Sequence, residues 1–278
     1  MTNDQSPMTN DQSPIIMKNR RVVIVTGAYG EIGKAIAESI AKNHLCEVVL
    51  VGRNEKKLID AVYEIQKKTS NKLTRYVAVD LSRKLSVKKL AAEWEGPLHV
   101  LVNNAGTTPR QRMETLEGIE MQFATNVLGY FWMIKYMSPF MHNVNDARIV
   151  NVASYWAGGL NLDDVEFKNR HYNNDSAYRQ SKQANRMLST YSSSLLAPDG
   201  IKVNACHPGE VSSKLSNDLG FGGHESPSQG AATPVWLAVS EDISNITGKY
   251  FEYLQQSNCS FSTDKQQMER LYSLCERY

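Results

Sequence analysis

Arg20-Arg-Val-Val-Ile-Val-Thr-Gly-Ala-Tyr-Gly-Glu-Ile-Gly33 is the stretch from which the rest of the chain can be read. Arg20 to Val25 is a β-branched apolar run that reads as a strand. Thr26 to Gly33 follows at once with glycine at 27, 30 and 33, and Lys34 to Asn43 carries a helical pattern. Strand, glycine turn and helix in that order is the dinucleotide-binding arrangement. Glycine lets the backbone pass close to a pyrophosphate, and the free N–H groups at the helix start then face the anion. A tight strand-to-helix connection would want the same glycines with no nucleotide present, so the decision rests on what surrounds the turn.

Downstream the pattern repeats. The apolar run Glu47 to Gly52 ends at Arg53-Asn54, where a fold of this kind selects its cofactor. An acidic residue there holds a ribose 2′-hydroxyl, whereas arginine suits a 2′-phosphate, so Arg53 favours NADP over NAD unless it is simply a loop arginine in solvent. A charged amphipathic helix from Glu55 to about Lys68 precedes a third strand, Thr74 to Val79, which ends in Asp80-Leu81. The Asp80 carboxylate either accepts a hydrogen bond from an adenine amino group or caps the next helix. That helix, around Val87 to Glu95, leads to the strand Leu98 to Val102 and to Asn103-Asn-Ala-Gly106, small residues that let a cofactor lie across the sheet edge.

In the second half, Thr115 to about Met141 reads as one long helix or two abutting ones, with Phe123, Val127, Tyr130, Phe131, Ile134 and Met137 on a broad apolar face. Asn126 lies within that face and needs partners, either as a clamp between backbones or as the holder of an ordered water. The strand Ala147 to Ala153 ends in Ser154, which puts a hydroxyl on the ligand side of a parallel sheet. Asp175-Ser-Ala-Tyr-Arg-Gln-Ser-Lys182 sets Tyr178 and Lys182 four apart on a helix, a phenol beside an ammonium. At about 4 Å and an effective dielectric of about 20, such a charge is worth roughly 4 kcal/mol, or roughly three pKa units. A tyrosine so tuned can serve as general acid or base, although chance also produces such pairs with the lysine in solvent. Pro198-Asp-Gly200 stops the helix, Ile201 to Ala205 makes a sixth strand ending at Cys206-His-Pro-Gly209, Gly248 to Phe251 makes a seventh, and a last helix begins at about Asp264.

The expected fold is α/β: a single Rossmann-type doubly wound domain over residues 18–278, with a seven-stranded parallel sheet flanked by helices. The first fourteen residues are one polar heptad written twice, so residues 1–17 are expected to be disordered. A chain of 278 residues can bury one large core. Lys and Arg total 31 against 29 Asp and Glu, a net charge of +2 spread along the chain, which gives no footprint for nucleic acid or a membrane surface. The 4 cysteines lie far apart without CxxC spacing and read as reduced thiols of a cytoplasmic protein, with no metal site expected. No apolar run approaches the ~18 residues needed to span a bilayer.

From about Val22 to Phe251 the chain resembles a short-chain dehydrogenase/reductase, through TGAYGEIG, Asp80-Leu81, NNAG, Asn126, Ser154, the YxxxK of Tyr178 and Lys182, and HPG at His207 to Gly209. Within that family it is most similar to the retinol-dehydrogenase-like group, by the histidine before Pro208-Gly209, the GKYF ending and the long segment between Ser154 and Tyr178. The resemblance implies a nicotinamide cofactor held by Gly27, Ala28, Tyr29, Gly30, Ile32, Gly33, Arg53, Asn54, Asp80, Leu81, Asn104, Ala105, Gly106, Tyr178, Lys182, Pro208, Gly209, Val211 and Ser213. It implies that Tyr178 exchanges a proton with the substrate oxygen, that Lys182 lowers its pKa and holds the nicotinamide ribose, and that Ser154 hydrogen-bonds the substrate. Asn126 would hold the water linking Lys182 to solvent, and Ser213 would keep the hydroxyl that a threonine usually supplies to the carboxamide. Family members often pair as homodimers through the helices carrying Asn126 and Tyr178.

One position departs from the family pattern. TGxxxGxG would place glycine at 31, where Glu31 stands. Read as TGxxGxxG the turn matches a longer epimerase-like branch, which NNAG, HPG and the short C-terminal half oppose. A carboxylate beside two phosphates is unfavourable unless it points away. The implied activity is NADPH-dependent reduction of a fairly apolar ketone or aldehyde, reversible to alcohol oxidation. The reading from another class is a catalytically weak nucleotide-binding sensor or scaffold, which Glu31 favours and the set Ser154, Tyr178, Lys182 and Asn126 opposes.

Overall fold

In the computed structural model, residues 20–278 are described; the expected disordered segment, 1–17, lies outside the described residues. Strands β1 (Arg21–Thr26), β2 (Cys46–Gly52), β3 (Arg75–Ala78), β4 (Val100–Asn103), β5 (Arg148–Val152), β6 (Lys202–Cys206), β7 (Tyr250–Glu252) and β8 (Gln255–Ser257) form one sheet in the order β3-β2-β1-β4-β5-β6-β7-β8. Seven run parallel as expected, and β8 adds an antiparallel edge. The addition follows from a two-residue hairpin at Tyr253 and Leu254, both in the left-handed region at φ 49 and 64. Hairpins of that kind usually announce themselves as Asn-Gly or Asp-Gly, and here nothing in the sequence did.

The strand order reverses between β1 and β4, so their carboxyl ends open the crevice in which doubly wound sheets hold ligands. Alternation along the strands feeds two cores. Ile24, Val49 and Leu101 face one side with Phe131, Trp132 and Leu271; Val23, Val48 and Leu50 face the other with Ile36, Leu58 and Leu237. The first side is covered by α3 (Lys84–Ala92), α4 (Gly129–Met137), α5 (Asn174–Leu196) and α8 (Lys265–Glu276), and the second by α1 (Glu31–Ala41), α2 (Glu55–Thr69) and α7 (Pro227–Val239).

Three departures from expectation have local causes. The helix expected from Thr115 starts only after Glu120, whose buried carboxylate accepts from the N–H groups of Gln122 (2.9 Å) and Phe123 (2.7 Å) and so caps it. The segment then takes a π-helical turn, Phe123–Leu128, before α4. Secondly, α7 was not anticipated although its start is spelled out: Ser226 and Gln229 form a capping box with Pro227 at the first helical position. Thirdly, a short helix α6 (Lys214–Asp218) begins at Ser213.

Part of the apolar faces of the two helices expected to pair copies is covered within the chain by α8, while Leu195 on the second stays exposed. Tyr272 of α8 packs against Phe131 (5.1 Å between ring centroids) and Tyr191 (5.0 Å). No helix among the described residues is long and apolar enough to cross a membrane.

Candidate active site

Two cavities open at the carboxyl edge of the sheet and share Ile32, Ser213 and Leu215. The first, of about 190 Å³, is lined by the glycine turn, the β2 end with Arg53, Asp80-Leu81 and Asn104 to Thr107. Its shape depends on missing side chains. Gly27 sits at φ +65, where a Cβ would lie 2.7 Å from the Ala105 Cα; at Gly33 a Cβ would lie 2.4 Å from the Gly27 carbonyl oxygen. Asn104 locks the same corner, donating from Nδ2 to the Thr26 carbonyl (2.9 Å), while its own N–H donates to the Thr26 hydroxyl (2.8 Å).

The donor set in this cleft fits a dinucleotide. Helix α1 has Gly30 as its N-cap without a side-chain cap, and its first turn, Glu31 to Gly33, lines the cleft, an arrangement that suits phosphate oxygens. Arg53, exposed and without an ion pair among the described residues, supplies a guanidinium in the same wall. Asn54 instead caps α2 by accepting from the Lys57 N–H (3.0 Å). Tyr29 lays its ring against Gly52, and Ala28 is buried in the core. Asp80 turns its carboxylate onto Ser82, accepting from N–H (3.0 Å) and hydroxyl (2.7 Å), and so braces a turn rather than capping α3, whose N-cap is Arg83. Glu31 lines the cleft from the first turn of α1 and accepts from the Lys214 N–H at 3.4 Å, tying α1 to the start of α6.

The second cavity, of about 200 Å³, is walled by Ser154, Tyr155, Trp156, Tyr178, His207 to Val211 and Phe221. Asn173 caps α5 and sets Tyr178 and Lys182 on its first turns. Tyr178 is 7% exposed; burial pushes its pKa up to about 12, which the hydroxyl of Ser154 partly offsets. The expected lowering by Lys182 is not the governing effect. The lysine nitrogen lies 5.6 Å from the Tyr178 ring centroid and donates to the Val152 carbonyl at 2.8 Å. Burial also lowers the ammonium's own pKa to about 8. The Val152 carbonyl, shared with the Tyr130 hydroxyl (3.2 Å), therefore fixes Lys182 beneath the phenol.

Asn126 has the partners of a backbone clamp. Its amide exchanges two hydrogen bonds with Thr107, accepting at 2.8 Å and donating at 3.0 Å, and also donates to the Ser181 hydroxyl at 3.3 Å. It clamps the backbone after NNAG against α5. Ser213 uses its hydroxyl in a capping box with Ser216 while lining both cavities. Gly209 packs beneath Glu225, and Pro208 and Val211 line the second cavity. Sequence reading did not single out Leu215, Phe221 or Glu210. They lie in a polar, glycine-rich run between 210 and 223, whose five-residue helix is too short to show a periodicity.

A doubly wound sheet with a glycine turn at its switch point defines a dinucleotide-binding protein of the Rossmann class. Residues 21–220 match the model of the short chain dehydrogenase family, and the chain belongs to that family, in its retinol-dehydrogenase-like group. Human retinol dehydrogenase 13 is 32% identical over 256 residues, covering 85% of this chain and 77% of that protein. A Streptomyces antibioticus protein described as a probable oxidoreductase is 33% identical over 266 residues, covering 87% of each. A crystal structure of an uncharacterized protein from Mycobacterium paratuberculosis matches with a TM-score of 0.78 at 26% identity, covering 92% of each chain. Membership makes the protein an oxidoreductase with a nicotinamide dinucleotide cofactor.

Proposed function

We propose that the protein is an NADP(H)-dependent oxidoreductase that interconverts a ketone or aldehyde and an alcohol on a fairly apolar small molecule. The observation that carries this reading is the placement of Ser154 and Tyr178 together in the wall of a cavity adjoining the glycine-lined cleft, with Lys182 buried beneath. In the cleft, the uncapped start of α1 and the Gly27–Gly33 turn would hold the phosphates, and Arg53 would hold a 2′-phosphate. When bound, the nicotinamide supplies the redox chemistry.

The protein's own residues handle the proton. A Tyr178 pushed up to about 12 stays protonated at neutral pH, the form required to donate from its hydroxyl to a substrate carbonyl oxygen. Ser154, beside it, donates a second hydrogen bond to that oxygen as negative charge develops. Lys182 then stabilises the phenolate left behind, a task for which its charged form is needed; with its pKa at about 8 it carries that charge at neutral pH. Asn126 acts as a positioning residue by holding Thr107 at the mouth of the cleft. Trp156 and Phe221, edge to face at 5.4 Å, give the substrate cavity an apolar wall. We further propose a cytoplasmic, single-domain protein. A homodimer through the helices of Asn126 and Tyr178 would have to leave α8 in place over Phe131 and Tyr191.

The test is NADPH consumption with a panel of apolar aldehydes and ketones, alongside fluorescence titration of NADPH and NADH. Turnover with NADPH favoured over NADH supports the reading. No NADPH binding at millimolar concentration overturns it.

A further inference from the structure

His207 is 4% exposed, yet neither Nδ1 nor Nε2 has a hydrogen-bond partner among the described residues. Buried polar atoms without partners are costly, and in a folded protein they ask for a ligand or a water. The backbone N–H of His207 donates to the Phe251 carbonyl at 2.9 Å, which fixes the residue to the middle of β7. Its ring is held by aromatic edges instead of hydrogen bonds, Tyr155 at 4.6 Å and Tyr253 at 6.0 Å between centroids. The nearby charged groups are otherwise engaged. Glu210 accepts from the Tyr155 hydroxyl at 2.6 Å and pairs with His224 at 3.4 Å, while the Arg186 guanidinium stacks on the Tyr250 ring at 3.5 Å. The residue lines the same cavity as Ser154 and Tyr178. Burial pushes the imidazole down to about 4, so at neutral pH it offers one N–H donor and one bare nitrogen acceptor.

We propose that His207 is a specificity-determining residue that hydrogen-bonds a second oxygen of the substrate, so that the cavity selects apolar or aryl ketones and aldehydes bearing a hydroxyl or keto group near the reacting carbon. This rests on the carbonyl–alcohol reading above. Tyr178 and Ser154 hold the reacting oxygen and His207 the neighbouring one, and two-point attachment fixes the orientation of the carbonyl. A site built to hydrogen-bond a substrate oxygen discriminates against the analogue lacking it, because its own polar atoms are then left unpaired.

The test compares 1-phenylpropane-1,2-dione with propiophenone, which lacks the second oxygen. For the full chain, kcat/KM with NADPH and calorimetric binding to the NADP-saturated protein are measured for wild type, His207→Phe, which keeps the aromatic packing, and His207→Asn, which keeps a donor and an acceptor. Wild type is expected to prefer the dione in both measurements, with the preference falling by about tenfold in His207→Phe and partly recovering in His207→Asn. A preference in His207→Phe within twofold of wild type overturns the proposal and leaves the imidazole as packing around a water. No preference for the dione in wild-type binding overturns it without any variant, should His207→Phe fail to fold. The two readings separate cleanly. His207-dependent binding without turnover of either ketone keeps this inference and rejects the reductase, whereas turnover of both ketones with a ratio indifferent to His207 does the reverse.

Discussion

The two cavities that meet at Leu215 are built by opposite means. The cofactor cleft is made by main chain: glycines at 27 and 33 that admit no Cβ, an uncapped helix start, and Asn104 stitched to Thr26. The second cavity is made by side chains from distant segments, with Tyr178 from α5, Ser154 and Trp156 from the end of β5, and His207 and Phe221 from the run after β6. A site made of backbone permits few residue types, so it writes a motif into the sequence. A site made of side chains is fixed by where distant loops arrive, and many residues satisfy it.

The sharpest way to break this contrast is Gly33→Ala. Its Cβ would meet the Gly27 carbonyl at 2.4 Å and Asn104 Nδ2 at 2.6 Å, so the turn must open. We expect NADPH binding by fluorescence titration to fall more than about a hundredfold and stability to drop by about 1–3 kcal/mol, the range for overpacking. Binding at wild-type strength would show that the cleft is less dependent on backbone than argued.

Outside both cavities, Glu120 gives a pH signature. Burial raises its pKa to about 7, well above the ordinary carboxylate range. The folded state therefore holds the proton more tightly than the unfolded one, so the stabilisation is complete below about pH 4.5 and is lost as pH rises through about 7. The change amounts to up to about 3 kcal/mol at 1.36 kcal/mol per unit. Thermal midpoints of wild type should decline across that window. In Glu120→Gln the slope should flatten, although the variant is less stable overall because one of two capped N–H groups then faces an amide nitrogen.

Two smaller effects sharpen the account of the cleft. Arg53→Ala is expected to weaken NADPH by about 1.5–3 kcal/mol, the scale of a charge-assisted hydrogen bond, and to leave NADH nearly unchanged. Equal loss for both would make Arg53 purely structural. Glu31→Gln removes an exposed carboxylate from the phosphate side of the cleft and should tighten NADPH by about threefold at low salt, less at high salt. If binding weakens instead, the contact from Glu31 to the Lys214 N–H outweighs its charge.

The alternation of β-branched runs and helices made the parallel sheet and its order of elements readable, and Tyr178, Lys182, Ser154 and the glycine turn could be singled out as candidates whose roles came from the family resemblance. What escaped has physical reasons. The β7–β8 hairpin turns on Tyr253 and Leu254 in left-handed conformations that no Asn-Gly pair announces. The late start of the helix before Asn126 depends on Glu120, a residue that reads as an ordinary charge until its burial is seen. The expectation that Lys182 sets the Tyr178 pKa assumed that neighbours on a helix point at one another. Instead, the ammonium is drawn to the Val152 carbonyl, a β5 atom that helical spacing could not supply. For the same reason the pairing of Asn126 with Thr107 could not be read from helical spacing.

The central claim is that Tyr178 hands the proton to the substrate oxygen. It is tested most directly by measuring NADPH-driven carbonyl reduction and NADPH affinity side by side in wild type and Tyr178→Phe. Loss of the hydroxyl should lower kcat by about a hundredfold or more, the range for a positioned acid, with the NADPH dissociation constant within about twofold of wild type. Turnover equal to wild type in Tyr178→Phe would contradict the account.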